Sequence, residues 1–281
     1  MQIKKLEQRA NSIREDIVKM LVTAGSGHSA GPLGMADIFT ALYFEVLKHD
    51  PNNSEWEERD ILVLSNGHIT PVRYVAMAHA GYFPKKELLT LRKFGSRLQG
   101  HPERTKLPGL ETTSGPLGSG LSQAAGMALS LKMDGNKQRW VYCITSDGEL
   151  EEGNSWEAIM FAAKYGLYNL TVIVDRNNIQ IDGPTEKVMP LDDLKEKWQA
   201  FNWHVLEIDG HNFEEIIAAC NMAKAIVEKP VVIIARTIPG RGVDFMEYDF
   251  AWHGKPPNKE EAKKALHKLR TLGDKIRGEH E

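Results

Sequence analysis

The chain has 281 residues, of which 42% are hydrophobic and 26% are charged. Both fractions are ordinary for a globular protein, so they exclude a disordered, collagen-like or coiled-coil chain. Thirty-five basic and 38 acidic residues leave a formal net charge of -3, so the chain has no global field to attract nucleic acid or an anionic membrane. At about 150 residues per domain, the length allows one large α/β domain or two small ones.

Cysteine usage and apolar runs argue against a secreted or membrane protein. Cys143 and Cys220 lie far apart in apolar stretches, so we interpret them as buried free thiols, not as a disulfide or a metal site. The N-terminus is polar, and the longest apolar runs fall far short of the ~20 residues that span a bilayer. We therefore expect a cytoplasmic protein.

The spacing of apolar residues predicts the elements in chain order. A first helix is predicted from Leu6 to Ala24, a second over about 34–48, and a short buried strand over 61–64. Later strands are predicted over 140–145, 170–174, 204–208 and 231–235, and the helices between them near 118–133, 153–166 and 212–228.

This alternation is typical of a parallel sheet with a helix between successive strands. It predicts an α/β fold with a doubly wound, mostly parallel sheet and helices on both faces, formed by residues 1–255. Pro256-Pro257 separates this domain from a last helix within 256–281. We expect that helix to pack on the domain or on a partner.

Polar residues follow two of the predicted strands. Ser146-Asp147-Gly148 comes after one strand, and Asn177 follows the next. Ligands of open parallel sheets bind outside the carboxyl ends of the strands. If the strands are neighbours, Asp147 and Asn177 offer two oxygen ligands to a magnesium-sized ion, whose shell a diphosphate would complete. A helix that begins near Gly153 would favour an anion there. Taken alone, both segments are also typical of ordinary turns.

Four histidines with glycine neighbours give a second signal. His28, His68 and His101 each follow a glycine, and His253 precedes one. A single histidine in a loop is usually solvated or locally hydrogen-bonded, but four in this setting favour a shared cleft. A third signal is the glycine-rich turn over 112–120, which fits neither the P-loop nor the dinucleotide-binding pattern.

Together, these segments resemble the thiamine-diphosphate-binding half of transketolase over about residues 25–253. The segments in the family's order are SGHSAGPLGMAD, SNGH, FGSRLQGHPE, SGPLGSGLSQAAGMA, SDGELEEGNSWEA and DRNNIQIDG. The most specific element is Asp147-Gly148 followed by Asn177 after 28 residues, which is similar to the thiamine diphosphate motif. The chain departs from the family pattern at two places: Ser146 stands where the family has glycine, and Ser29-Ala30 stands where it has Pro-Gly. These small-for-small changes bear on the subfamily and on substrate preference.

The resemblance implies that the chain binds thiamine diphosphate through a divalent metal, Mg²⁺ or Ca²⁺ or Mn²⁺ in its place. The implied metal ligands are Asp147, the Asn177 side chain and the Ile179 backbone carbonyl. Gly148 would contact the diphosphate, and His68 would help to hold the cofactor. The positions of the glycine-rich turn that would contact the cofactor are Gly115, Pro116 and Leu117.

The resemblance also implies the catalytic residues. His28, His101 and His253 would line the channel for the sugar's hydroxyl groups, with His253 also near the diphosphate. Histidines, with pKa values expected near neutrality, suit proton transfer during cleavage and rejoining of a carbon chain. Glu152 and Glu157 match acidic positions that lie at the subunit interface in the family.

The implied reaction is transfer of a two-carbon ketol unit from a ketose phosphate to an aldose phosphate, a step of the pentose phosphate pathway. In the family, a second domain holds the glutamate that activates the cofactor and the basic residues that bind the sugar phosphate. Only 28 residues follow His253, so we expect a separate C-terminal subunit to supply those groups. The chain therefore looks like the N-terminal subunit of a split transketolase, and two copies of each chain would form a heterotetramer.

Two alternatives remain open. The chain could belong to another thiamine diphosphate enzyme, such as the alpha subunit of a 2-oxo acid dehydrogenase or a deoxyxylulose phosphate synthase, or it could be a non-catalytic remnant subunit. GHPE followed by SGPLGSG and His253 favours transketolase. The presence of Asp147, Asn177 and all four histidines argues against a lost activity.

Overall fold

The computed structural model of the chain describes residues 3–278. Its centre is a five-stranded sheet in the order β1-β2-β3-β7-β6, in which every neighbouring pair is parallel. The strands of the sheet are β1 (Ile61–Leu64), β2 (Val141–Ser146), β3 (Leu170–Arg176), β6 (His204–Asp209) and β7 (Val231–Arg236). A short antiparallel hairpin, β4 (Ile179–Gln180) with β5 (Gly183–Pro184), follows β3. The predicted parallel sheet is confirmed.

Helices lie on both faces of this sheet, as predicted. Their bounds are α1 (Ile3–Ala24), α2 (Ala30–Gly34), α3 (Ala36–Ala41), α4 (Thr70–Ala80), α5 (Ser119–Met133), α6 (Gly153–Lys164), α7 (Thr185–Val188), α8 (Leu194–Ala200), α9 (Phe213–Ala225) and α10 (Lys259–Gly278). None of the helices within residues 3–278 is long and apolar enough to cross a membrane.

Alternating strand residues fill two apolar cores. Leu64 and Ile144 pack with α1, α3, α4 and α9, whereas Val63 and Cys143 pack with α5, α6 and α8. This alternation follows from the two-residue period of a β-strand. Cys143 and Cys220 are both buried and free, which confirms the interpretation of the cysteines.

Two parts of the helical prediction need correction. The helix predicted over 34–48 begins earlier, at Ala30, breaks at Met35 and ends in a π turn at Val46. Its glycines are required by close packing, since a Cβ atom at Gly34 would lie 2.9 Å from the Ile238 carbonyl oxygen. Helix α4 was not predicted, because it is buried almost all round and lacks the one-sided apolar stripe of a surface helix.

The last helix packs on the domain. Ala262, Ala265 and Leu269 of α10 belong to the larger core, and the Asn11 amide of α1 donates a 3.0 Å hydrogen bond to the Leu269 carbonyl. Helix α10 thus shares its apolar core with α1. The domain boundary predicted at residue 255 stays a prediction.

A buried ionic network joins the segments around the sheet. Arg14 of α1 donates two hydrogen bonds to the Asp37 carboxylate and a third to the Leu33 carbonyl. His211 Nδ1 lies 2.7 Å from Asp37 Oδ2, and His211 Nε2 accepts a 2.8 Å hydrogen bond from the Ile238 N–H. Burial favours a protonated Asp37, but Arg14 and His211 outweigh it and lower the pKa of this carboxyl. The network joins α1 and α3 to the loops after β6 and β7.

We expect Asp37→Ala to lower the free energy of unfolding by about 3–5 kcal/mol, because it leaves the buried Arg14 guanidinium without its partner. Urea denaturation followed by circular dichroism measures the change. Asp244→Ala is the matched control, since it breaks an exposed ion pair with Lys268 that is worth at most about 1 kcal/mol. Equal losses for the two variants would contradict this account.

Candidate active site

The carboxyl ends of β2 and β3 bring two predicted site residues to one edge of the sheet. Ser146 pairs with Asp175 in the register of these neighbouring strands, and the Asp147 N–H donates a 3.1 Å hydrogen bond to the Asp175 carbonyl. Asp147 and Asn177 therefore follow neighbouring strands, as expected. Helix α6 begins at Gly153, so its positive N-terminal end lies at the same edge.

Asp147 is completely buried. Its Oδ1 accepts a 2.8 Å hydrogen bond from the Gly148 N–H, and its Oδ2 accepts one of 2.6 Å from the Asn178 N–H. The Arg176 guanidinium lies 3.2 Å from Oδ2. Burial raises the pKa of Asp147 to about 6, although Arg176 opposes the rise. A divalent cation here would gain a buried anionic ligand and would stabilise its charge.

The Asn177 amide is oriented by its neighbours. Its Nδ2 donates a 2.8 Å hydrogen bond to Asp175 Oδ2, and its Oδ1 accepts one of 3.0 Å from the Ile179 N–H. The Thr237 hydroxyl donates to the other oxygen of Asp175, which fixes that carboxyl in turn. Because Asp175 accepts from the amide nitrogen, the oxygen of Asn177 is the atom left to face a metal.

The turn after Asn177 brings a backbone carbonyl to the same place. Asn178 has a left-handed backbone, with φ +62°, which directs the chain into the β4–β5 hairpin. A Cβ atom at Gly148 would lie 3.8 Å from the Ile179 carbonyl oxygen and only 2.9 Å from Gln180 Cβ. Gly148 therefore has no room for a side chain, and the Ile179 carbonyl lies beside the Asp147-Gly148 turn.

These donors fit a hard divalent cation. A carboxylate, an amide oxygen and a backbone carbonyl are the oxygen ligands that Mg²⁺ and Ca²⁺ take, with phosphate and water completing the shell. Within the part of the chain that the structure describes, no cluster of three or more His, Cys, Asp or Glu side chains is placed to hold a metal. A metal at this edge would therefore need ligands from a bound diphosphate or from water.

Glu149 is a site residue that the sequence did not reveal. Its buried carboxylate accepts 2.6 Å hydrogen bonds from Ser65 Oγ, Thr145 Oγ1 and the Gly118 N–H. It thereby joins the ends of β1 and β2 to the glycine-rich turn. In sequence, the acidic run after Gly148 is typical of a solvated surface, so only the fold shows that one of its members points inward.

Three of the four predicted histidines form one cluster. The ring centroids of His28, His68 and His253 lie 4.9 Å (His28–His68), 5.0 Å (His68–His253) and 5.5 Å (His28–His253) apart. His101 lies at the rim, where a Cβ atom at Gly67 would be 3.2 Å from its ring. The structure thus brings all four predicted histidines to one region.

The histidines of this cluster are held neutral, with pKa values below the near-neutral range that the sequence predicts. Burial and the neighbouring His253, Arg92 and His101 lower the pKa of His28 to about 4. Burial also lowers the pKa of His68, His101 and His253. A neutral imidazole donates one hydrogen bond and accepts another, so each ring can exchange protons with a hydroxyl group near neutral pH.

Buried polar groups beside the cluster lack partners within residues 3–278. His28 Nδ1 and both polar atoms of the Asn66 side chain have no hydrogen-bond partner there. Buried polar atoms are normally satisfied, so unpaired ones beside a histidine cluster indicate a place for a polar ligand or water. The Ser29 hydroxyl, by contrast, donates a 2.6 Å hydrogen bond to the Lys255 carbonyl and fixes the His28 segment next to the His253 segment.

The glycine-rich turn lies at the same edge. The Leu117 carbonyl accepts a 3.4 Å hydrogen bond from the Asn154 amide, and nothing lies within 4 Å of a Cβ atom built at Gly115. Pro116 is exposed. The turn is therefore open at Gly115 and Pro116, and the cofactor contacts of Gly115, Pro116 and Leu117 stay predictions.

Comparison with known proteins identifies the relatives of this chain. Residues 6–274 match the family model described as transketolase, thiamine diphosphate binding domain. The chain is 42% identical to the 6-deoxy-6-sulfo-D-fructose transketolase subunit of a Clostridium species, with 95% of this chain and 97% of the relative covered. It is 36% identical to an apulose-4-phosphate transketolase subunit of Phocaeicola vulgatus, with 100% and 99% covered.

The fold is also that of solved transketolases. The Campylobacter jejuni transketolase structure matches with a TM-score of 0.89 and 36% identity over 96% of this chain. The match covers 43% of that solved chain, so the present chain spans less than half of a full-length transketolase.

The lowered histidine pKa values predict a pH dependence of stability. Unfolded His28 takes up a proton below about 6.5, whereas folded His28 does so only near 4. The unfolded state therefore binds more protons between these values, and the free energy of unfolding falls as the pH drops through this window. We expect a shallower fall for His28→Gln in urea denaturation at pH 7 and pH 5. His267→Gln, on the exposed face of α10, is the control, and equal slopes for wild type and His28→Gln would refute the prediction.

Proposed function

Because the chain belongs to the transketolase family, we propose that it is the diphosphate-binding subunit of a two-subunit transketolase. Its reaction is transfer of a two-carbon ketol unit from a ketose to an aldose, each with an anionic end such as a phosphate or a sulfonate. One observation carries the proposal: the oxygen donors around Asp147 and the neutral histidine cluster lie at the same edge of the sheet.

The cofactor is held by the residues after β2 and β3. Mg²⁺, or Ca²⁺ or Mn²⁺ in its place, would be held by Asp147, the Asn177 oxygen and the Ile179 carbonyl, and would neutralise charge on the diphosphate. Gly148 lets the diphosphate approach the backbone, and the N-terminus of α6 stabilises its charge. His68 and the turn Gly115-Pro116-Leu117 hold the organic rings.

The histidines serve proton transfer and orientation. Thiamine diphosphate would supply, when bound, the carbanion needed for ketol transfer. His28, His101 and His253 bind the hydroxyl groups of the sugar and exchange protons with them, since their pKa values keep them neutral. The unpaired Nδ1 of His28 is the nitrogen with a hydrogen bond still to make.

A second subunit completes the site. It supplies the carboxylate that activates the cofactor and basic residues for the anionic end of the sugar. Its contact with this chain includes the exposed Glu152 just before α6 and the outer face of α6, where Glu157 is exposed and Met160 and Phe161 retain 57% and 37% exposure. Patches of exposed large apolar side chains mark interaction sites. Two copies of each chain give a closed heterotetramer.

The relatives favour this function over the alternatives. The Clostridium and Phocaeicola proteins match along almost their whole length and are named as transketolase subunits, and neither is a 2-oxo acid dehydrogenase or a deoxyxylulose phosphate synthase. The presence of the oxygen donors and histidines also argues against a non-catalytic remnant. A cytoplasmic location and a place in the pentose phosphate pathway stay predictions from the sequence.

We expect Asp147→Asn to weaken metal-dependent binding of thiamine diphosphate by more than about 10-fold, because an amide cannot supply the anionic ligand. Titration calorimetry on the complex with the partner subunit, with and without Mg²⁺, measures this. Asp244→Asn is the control, since Asp244 is an exposed carboxylate paired with Lys268 of α10. The metal assignment fails if Asp147→Asn keeps wild-type affinity and wild-type metal dependence.

We expect the chain to co-purify from its own cells with a second chain in equal copies, in the presence of thiamine diphosphate and Mg²⁺. Native mass spectrometry gives the stoichiometry, and assays with ketose phosphates and with 2-oxo acids as donors identify the reaction. The complex should use the ketose donors, and this chain alone should be inactive. A complex that uses only 2-oxo acids, or a chain that elutes alone and inert, would overturn the proposed function.

A further inference from the structure

Arg92 has an unusual backbone and a fixed place in its loop. Its φ is +59°, a left-handed conformation that is unfavourable for residues other than glycine. The Arg92 N–H donates a 3.0 Å hydrogen bond to the Leu98 carbonyl, which closes the loop between them. Strained conformations of this kind persist only where surrounding structure maintains them, and they cluster at functional sites.

The Arg92 guanidinium lies between two segments that carry site histidines. A Cβ atom at Gly100 would lie 2.7 Å from its Cζ and Nε atoms, and one at Gly27 would lie 4.0 Å from Nε. Gly27 directly precedes His28, and Gly100 directly precedes His101. Gly100 therefore leaves room for the guanidinium, which lies beside the segments of both histidines. The charge of Arg92 adds to burial in lowering the pKa of both histidines.

This guanidinium has no counter-ion among the described residues. None of the ion pairs within residues 3–278 includes Arg92, and its hydrogen-bond acceptor there is the Gly100 carbonyl, at 3.4 Å. Lys255, a cation beside the His253 segment, pairs with Glu261 at 2.8 Å. Since the histidines are neutral, the Arg92 guanidinium beside them offers a permanent positive charge to a ligand in the site.

We propose that Arg92 is a specificity-determining residue that binds the anionic end of the sugar substrate. This inference rests on the proposed function, in which basic residues of the partner subunit bind the anionic end of the sugar. It adds a residue of this chain to that binding site. A planar guanidinium donates two parallel hydrogen bonds to a tetrahedral oxyanion, whether that is a phosphate or a sulfonate. Because the neutral histidines bind hydroxyl groups, which all sugars carry, Arg92 is the residue that discriminates between anionic and uncharged sugars.

Two variants in the complex with the partner subunit test this role. Arg92→Gly removes the guanidinium and suits the left-handed backbone, so the loop keeps its shape. Arg92→Lys keeps the charge but loses the planar fork. We expect Arg92→Gly to lower kcat/KM at least 10-fold for a phosphorylated and for a sulfonated ketose, mainly through KM, and to change kcat/KM for an uncharged ketose less than twofold. Arg92→Lys should lie between wild type and Arg92→Gly.

Lys93→Ala is the matched control, because it removes an exposed cation from the same loop and should leave all three substrates unaffected. A loss for only one of the two anionic ketoses identifies which oxyanion Arg92 binds. Equal losses for charged and uncharged ketoses, no loss for either, or failure of Arg92→Gly to assemble with the partner would each overturn the proposal.

Calorimetry with inorganic phosphate separates this proposal from the proposed function. We expect phosphate to bind the wild-type complex at least 10-fold more tightly than the Arg92→Gly complex. If the wild-type complex transfers no ketol group but keeps this difference, the proposed function fails and the anion site at Arg92 stands. If phosphate binds both complexes equally, the anion site fails whatever the activity.

Discussion

The candidate active site depends on the Glu149 carboxylate, whose hydrogen bonds come from within the protein. Glu149 is buried, and a buried charge without several hydrogen bonds would be strongly unfavourable. Its donors come from Ser65 after β1, Thr145 at the end of β2, and Gly118 at the start of α5. These three segments also carry His68, Asp147 and the glycine-rich turn, so one anion sets the spacing between the histidine cluster and the oxygen donors.

Other contacts fix the remaining side of the site. Ser29 joins the His28 segment to the His253 segment, and the network of Arg14, Asp37 and His211 holds the helix that follows His28 against the loop that precedes His253. The side chains are therefore in place before any ligand binds. Such preorganisation lowers the entropic cost of binding and fixes where protons can move.

The sequence predicted the strands of the parallel sheet, because buried parallel strands leave uninterrupted apolar runs followed by polar residues. It therefore also placed Asp147 beside Asn177. The sequence did not predict Glu149 and Arg92 as site residues, since an acidic residue in an acidic run and an arginine in a basic loop are both typical of a solvated surface. Their roles depend on neighbours that are distant in sequence, Ser65 for Glu149 and Gly27 for Arg92, which no local pattern encodes.

The register of β2 against β3 ties the chemistry of this protein to its core. Ser146 lies opposite Asp175 only when Cys143 lies opposite Val172, three residues earlier in the same strand register. A slip of one residue would turn every side chain of the strand to the opposite face and would carry Asp147 away from Asn177 at the same time. Selection for a well-packed interior and selection for cofactor binding therefore both act on the register of β2 against β3. In the evolution of this family, the positions of the residues at these strand ends can change only as fast as the sheet can repack.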